Sequence, residues 1–503
     1  MATAVLDRAA TIATPLAARI EAWLARPVAW ASAIAAVIAL QLVLTAGHLP
    51  WLDEYQALQI AVQSPDMAHL LENLRYEGHP PLWYLLLRGA AEIVPPWWAL
   101  AAVAVPLALA IQAIVLLRAP FARLDRLLIA TGTFVLFEYG AVSRSLTLGV
   151  TLLLVAFAFR ERRWSWIALA LLPMADFIFG ALSLVLLAIA WRERRLWTPG
   201  VALWGMMSLV AAWTVRPAHD VVPAFARSGI VADAGSWLNR LSIMLLPLQT
   251  NEGRLEWNGT LPIGLASIAG PLFLLFCIRM LRGARFHLVL WGGFVAFTLV
   301  FSVAVYPLAI RHLSLVALLL LLLLVWRASE RGSAAPRGFR WWLALGSVSG
   351  LATAGLALAQ PFDTAPQAAA AIRGLGLERA HWVSFPESRG QGVSALTGIA
   401  FTMPGRDCQQ TFVRWNQKGR IHQPWQLAQA LVRISGRYGR VQLLSDIPID
   451  DAMPRGLIRR DAAVPAGYDG QEFHLYTVGP HLAPTTRRPP LCVPNQRALR
   501  LVS

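Results

Sequence analysis

The chain has 503 residues, 57% of them hydrophobic and 14% charged, and its 44 Lys and Arg outnumber 28 Asp and Glu to give a formal net charge of +16. With a mean hydropathy of +0.53, this composition excludes an ordinary globular surface and describes a polytopic membrane protein. The positive charge does not indicate nucleic acid, because the arginines stand in short clusters at the ends of apolar runs and form no single basic stripe.

Residues 1–28 hold Asp7, Glu21 and three arginines, with no small-residue cleavage pattern behind a short apolar core. They predict an amphipathic cytoplasmic helix leading into the first span. Apolar runs follow at 29–47, 97–117, 197–215, 261–278, 287–305, 312–326 and 341–359, against a requirement of roughly 17 to 25 residues for an unshielded span. Two further regions, 124–159 and 164–191, are too long for one span each. Arginines flank both ends of each, so each reads as a hairpin with both ends in the cytoplasm. The turns then fall near "EYGAVSRS" and "PMADF". The same rule places 1–28, 118–126, 160–163, 192–196, 279–286 and 327–340 inside, and 48–80 and 216–260 outside as the two long loops. It also requires 81–117 to cross once, with a first half broken by Arg88, Glu92, Pro95 and Pro96 lying as a short interfacial helix. The prediction is a polytopic α-helical protein of about eleven transmembrane helices with a cytoplasmic N-terminus.

Past about residue 360 the long apolar runs stop. "HWVSF", "RVQLLS" and "EFHLYTVG" alternate like strands between helical stretches at 366–376 and 423–437, which predicts a small extracytoplasmic α/β domain over 360–503. Cys408 and Cys492 both lie in it and are equally readable as a disulfide formed in an oxidising periplasm or as two free thiols; Cys277 sits in a span as packing. No metal-binding Cys/His spacing, P-loop, GxSxG or internal repeat is present.

Sorted by side, the ionisable residues gather at the outer face. Asp53 and Glu54 in "WLDEYQALQI" open the first external loop, and Glu77 and His79 in "YEGHPPLWYLLLR" close it. Glu138 and Arg144 lie at the second external turn, Asp176 at the third, and Arg311 with His312 at the outer end of a late span. Ionisable groups at membrane depth are rare unless paired or functional, so their convergence predicts a site at the outer bilayer boundary. Each also has a plain structural reading. Asp53 can cap the following helix, His79 before two prolines can set a rigid turn, and Arg144 can pair with Glu138. Asp176 can mark a turn, Arg311 can anchor at the interface, Glu77 reads as solvated, and Arg88 and Glu92 read as a structural pair four residues apart. A carboxylate near the interface, cations able to fork phosphate oxygens and an aqueous domain beyond suit transfer from a lipid phosphate to a water-borne acceptor.

The acid pair after the first span, then "HPPLWYLLLR", then "EYGAVSRSLTLG", resembles the C-type (GT-C) membrane glycosyltransferase superfamily, in its bacterial branch similar to dolichyl-phosphate-mannose-protein mannosyltransferases and lipopolysaccharide sugar transferases. "YPLAIRHLSLVALLLLLLLVW" is similar to a late span of that family. The resemblance implies a GT-C-like fold and transfer of a sugar from a polyprenyl-phosphate donor to an extracytoplasmic lipid, glycan or protein at a bacterial inner membrane. Asp53, with Glu54 as companion, would be the base or a ligand to a divalent cation such as Mg or Mn. His79 would line the cavity and Arg144 would meet the donor phosphate, with Glu138, Asp176, Arg311 and His312 as further substrate contacts. The chain departs from the family at Leu146, where related chains often carry tyrosine. A polytopic lipid or sugar transporter or flippase, and a non-catalytic membrane scaffold presenting the C-terminal domain, are the alternative readings.

Overall fold

The computed structural model describes residues 16–221, 229–251, 254–331, 338–416, 421 and 423–493. The N-terminal segment of 1–28 lies partly outside them; residues 16–24 are helical. Among the described residues six helices are long and apolar enough to cross a membrane, including Pro27–Gly47, Ile263–Met280, Arg285–Ala304 and Phe339–Ala359. Ala99–Arg118 follows a one-turn 3-10 element, and the sixth is Ile310–Arg331. The last is buried along most of its length, and its leucines fill the centre of the main apolar cluster. Shorter apolar helices over Ser145–Ala158, Ser165–Ala175 and Phe177–Arg192 pack among the long ones.

The two long apolar regions turn where expected. The second breaks at Asp176, which is extended and accepts the amide of Ile178 at 3.2 Å to cap the Phe177–Arg192 helix. The first differs in detail, for its leading arm is not one continuous helix. Arg123–Ala130 stops, and a π-helical turn over Phe134–Glu138 follows. At this break the backbone of Thr131–Thr133 lies so close to Gly350 that a Cβ there would meet the Thr131 carbonyl at 2.1 Å. The Thr131 and Ser347 hydroxyls bond at 2.7 Å. The close crossing interrupts the helix, and the π turn carries Glu138 at its end.

The arginine clusters expected on one side do meet at one end of the bundle. Arg160 pairs with Glu193 at 3.2 Å and Arg195 with Glu161 at 3.1 Å. The Trp326 indole also donates to Glu193, at 2.9 Å. Arg340 grips Asp125 at 2.6 Å. The chain is thus a multi-pass membrane protein with a basic end and an opposite end that carries the loop helices Leu52–Gln63, Met67–Glu77, Leu82–Ala91 and Ile230–Leu241. Leu82–Ala91 is the short helix expected ahead of the second span. Arg88 does not pair with Glu92; it donates to the carbonyls of Ser64 at 2.8 Å and Pro65 at 3.3 Å, where the preceding helix leaves acceptors unmet.

Two short strands, β1 (Thr250–Asn251) and β2 (Arg254–Leu255), form a hairpin. The C-terminal domain is a six-stranded mixed sheet built from β3 (Trp382–Phe385), β4 (Phe401–Met403), β5 (Cys408–Gln410), β6 (Val441–Ser445), β7 (Ile458–Val464) and β8 (Phe473–Val478), in the order β5-β4-β3-β6-β8-β7. Alternate residues of the central strands face opposite layers. Val383, Leu443 and Tyr476 pack on the Pro424–Tyr438 helix, while Trp382, Leu444 and Leu475 pack on Ala365–Gly374 and Gln391–Thr397. Cys408 and Cys492 are joined, with Cα atoms 4.9 Å apart. The domain sits directly on the first loop. Gly392 approaches so closely that a Cβ would lie 3.2 Å from the Tyr55 ring of the Leu52–Gln63 helix.

Candidate active site

The Leu52–Gln63 helix starts with two acids in its first turn, where the helix N-terminus favours negative charge. Neighbours on a helix point about 100° apart, and these two part company. Glu54 folds back to accept the Trp51 amide at 3.0 Å and to meet His48 Nε2 at 2.8 Å, while its other oxygen accepts the Ser143 amide at 2.6 Å. It is fully buried. Glu54 therefore ties the first loop to the turn before Arg144 and leaves Asp53 as the acid that faces the arginines. Glu54→Gln would place an amide donor against one of these N–H groups, and we expect a stability loss of about 1–3 kcal/mol. The unfolding midpoint in detergent measures it, and an unchanged midpoint would remove the brace role.

Asp53 is not the helix cap. One of its oxygens, Oδ2, takes both Arg144 Nη1 and, at 3.1 Å, Arg311 Nη2; among the described residues Oδ1 makes no hydrogen bond. Burial alone would raise the Asp53 carboxyl, but the two guanidinium groups outweigh it and hold the group below its ordinary range. Arg144 arrives in extended backbone just ahead of the Ser145–Ala158 helix, and Arg311 in the first turn of Ile310–Arg331. The Arg311 Nε and Nη1 are buried and have no hydrogen-bond partner among the described residues. The Arg311 guanidinium lies 5.2 Å from the Trp51 ring centre and 6.0 Å from that of Trp257, and Arg144 lies 5.8 Å from Trp51.

Glu138 does not bond Arg144. It accepts the Trp257 indole at 2.8 Å and the Gln249 amide at 3.4 Å, and so fixes the ring beneath Arg311. The Trp257 backbone amide donates to the Tyr468 carbonyl of the C-terminal domain at 2.9 Å. His79 meets Asp176 at 3.1 Å, and Ser145 reaches the same carboxylate oxygen at 3.4 Å. His79 keeps some exposure, whereas Asp176 has none. His312 is buried beside Tyr306 and Phe177, and its Nδ1 accepts the Ala309 amide at 3.2 Å.

The structure thus brings Asp53, Arg144 and Arg311 into one cluster and sets the His79–Asp176 pair beside it, close enough for His79 to act on the Asp53 charge. Glu54, Glu138 and His312 support this arrangement from behind. The two ring neighbours of the arginines, Trp51 and Trp257, are not among the residues the sequence singled out. Trp51 had a signal in its position immediately before the acid pair, but nothing in the sequence links Trp257, some two hundred residues away, to it. Leu146 is packed in the main apolar cluster and adds no site contact.

The donor set does not fit a divalent cation. Asp53 faces two guanidinium groups, and among the described residues no group of three or more His, Cys, Asp or Glu is arranged to hold a metal.

No protein-family model matches the chain, and no curated protein matches it. Among solved structures it is similar to the crystal structure of ArnT from Cupriavidus metallidurans bound to undecaprenyl phosphate, at 10% sequence identity and a TM-score of 0.46, over 92% of this chain and 100% of that one.

Proposed function

We propose that the chain is an integral-membrane glycosyltransferase of the GT-C type, moving a sugar from a polyprenyl-phosphate donor to an extracytoplasmic lipid, glycan or protein acceptor at a bacterial inner membrane. The observation that carries this reading is Arg311: a buried guanidinium with two unmet N–H positions, shared with Arg144 on one carboxylate, at the loop-bearing end of an apolar bundle. A planar, permanently charged group in that state suits a phosphate arriving from the membrane. The sequence resemblance in 50–90 and 138–150 supports the same reaction class.

On this reading Arg311 and Arg144 bind the donor phosphate while its lipid tail remains among the apolar helices. As the bond from the sugar's anomeric carbon to the phosphate oxygen breaks, negative charge grows on that oxygen and meets donors already in place. Asp53 fixes both guanidinium groups. A carboxylate so stabilised as an anion is a weak proton acceptor at neutral pH, so orientation of the two arginines is favoured as its role over general-base work. A single displacement inverts the anomeric centre.

The test is transfer of radiolabelled sugar from mannosyl- and glucosyl-undecaprenyl phosphate in membranes with and without the chain. Release of undecaprenyl phosphate with label passing to an acceptor is expected. Failure to consume either donor, with the chain present and folded, would count against the proposal.

A further inference from the structure

Glu77 closes the Met67–Glu77 helix, and Gly78, at φ +72°, turns the chain in a left-handed conformation into His79 and the two prolines. Glu77 is half-buried rather than solvated. Its Oε1 accepts the Gln56 side-chain amide at 2.8 Å, its one hydrogen bond among the described residues.

Gln56 is itself buried and fully engaged. Its Nε2 also donates to the Val413 carbonyl at 2.7 Å, and its Oε1 accepts the Val413 amide at 3.0 Å and the Gln391 side chain at 3.3 Å. The Val413 peptide needs oxygen facing its N–H and nitrogen facing its C=O, which settles which end of Gln56 meets Glu77. Val413 and Gln391 both belong to the C-terminal domain. The segment around Val413 is fastened to the first loop at several points. Thr411 bonds Gln63, Phe412 is buried among the first-loop helices, and Arg414 donates to Asn73 at 2.8 Å and pairs with Glu72 at 3.2 Å. Behind it, β5 is held by the Cys408–Cys492 disulfide and by the Cys492 amide on the Gln409 carbonyl at 2.8 Å.

We infer that the C-terminal domain completes the catalytic centre: its Val413 peptide positions Gln56, and Gln56 holds Glu77 as the group that takes the proton of the acceptor hydroxyl. The inference rests on the transferase reading and assigns the base that Asp53 is ill suited to be. The acceptor oxygen forms its bond to the anomeric carbon and its proton passes to Glu77. The electron pair of the broken sugar–phosphate bond stays on the lipid phosphate facing the arginines, and Glu77 later returns its proton to water.

Two acids near enough for Glu77 to feel the Asp53 charge differ in the way that acid–base work requires. Asp53 is locked between cations. Glu77 has one neutral donor, and burial pushes its carboxyl up to about 7. The Gln56 donation, His79 and Arg144 act against that rise, and Asp53 acts with it. Tyr84, from the Leu82–Ala91 helix, also feels the Glu77 charge. A group titrating there is well matched to accept a proton at neutral pH.

The experiment compares wild type, Glu77→Gln and Gln56→Met in full-length chain, reading transfer against pH and binding of undecaprenyl phosphate in the same nanodiscs. Wild-type transfer should fall as pH drops below about 7, where Glu77 becomes protonated. Glu77→Gln should lose at least about 100-fold in kcat while binding undecaprenyl phosphate as wild type does. Gln56→Met removes a bond that favours the charged form, so its pH limb should move upward, a shift that mere loosening of the fold would not produce. Wild-type kcat and pH profile in Glu77→Gln would overturn the assignment and leave the transferase reading standing. Loss of both lipid-phosphate binding and transfer in wild type would overturn the two together.

Discussion

Asp53→Asn lowers sugar transfer by about two to three orders of magnitude, the range found when a preorganised charge-stabilising contact is lost. Asparagine keeps the size of the side chain and one acceptor oxygen, but it cannot make charge-assisted bonds to Arg144 and Arg311 together, and such bonds are roughly twice as strong as neutral ones. With the anion gone, two guanidinium groups that shared Oδ2 repel each other and turn away from the geometry that receives phosphate. The fold should tolerate the change better than Glu54→Gln. The Asp53 side chain is 25% exposed, so water can replace part of what is lost, whereas Glu54 is sealed. Transfer kinetics and unfolding midpoints, measured side by side at matched expression, check both halves of the expectation. Wild-type transfer by Asp53→Asn would reduce Asp53 to an acid at a helix start.

Arg311→Lys should raise the KM for the polyprenyl-phosphate donor by about 10- to 100-fold, the equivalent of losing one or two charge-assisted hydrogen bonds at about 1.5 kcal/mol each. Lysine keeps the charge and can reach toward Asp53, but it lacks the flat fork that directs Nη2 at Asp53 while leaving Nε and Nη1 for a second anion. It also loses the planar cation held near Trp51 and Trp257. Steady-state transfer at varied donor concentration measures the change. An unchanged donor KM would place the phosphate elsewhere.

Much of the architecture was legible because a membrane imposes long apolar runs and a charge rule. The hairpin turns at Glu138–Arg144 and Asp176 followed from arginines at both ends of runs too long for one crossing. The broken arm before Glu138 was not legible, since it depends on Gly350 meeting the Thr131 backbone from more than two hundred residues away. In the C-terminal domain, β3, β6 and β8 were read as strands from their alternation, although each is buried on both faces. The edge strand β7, "IRRDAAV", carries three charged residues and is buried only at its last position, as edges commonly are, and gave no such signal.

The site divides along similar lines. Asp53, Arg144 and Arg311, which the structure brings together, stood out in the sequence because charge is conspicuous beside a membrane. The sequence left Arg144 open between pairing with Glu138 and binding an anion, and nothing in it pointed to Asp53, the carboxylate on which the fold sets it. Sequence could not separate Asp53 from Glu54 either, because their difference lies in which side of one helical turn faces His48 and Ser143. Gln56 and Val413 are 357 residues apart, and a neutral amide meeting a backbone peptide leaves no trace in composition or spacing.

The most direct test is equilibrium binding of undecaprenyl phosphate to the purified chain in nanodiscs, with undecaprenol as the control that shares its tail and lacks its phosphate. A phosphate site at Arg311 and Arg144 predicts saturable binding of the phosphate over the alcohol, weakened by Arg311→Lys. Equal binding of the two lipids, or binding indifferent to Arg311, would contradict it.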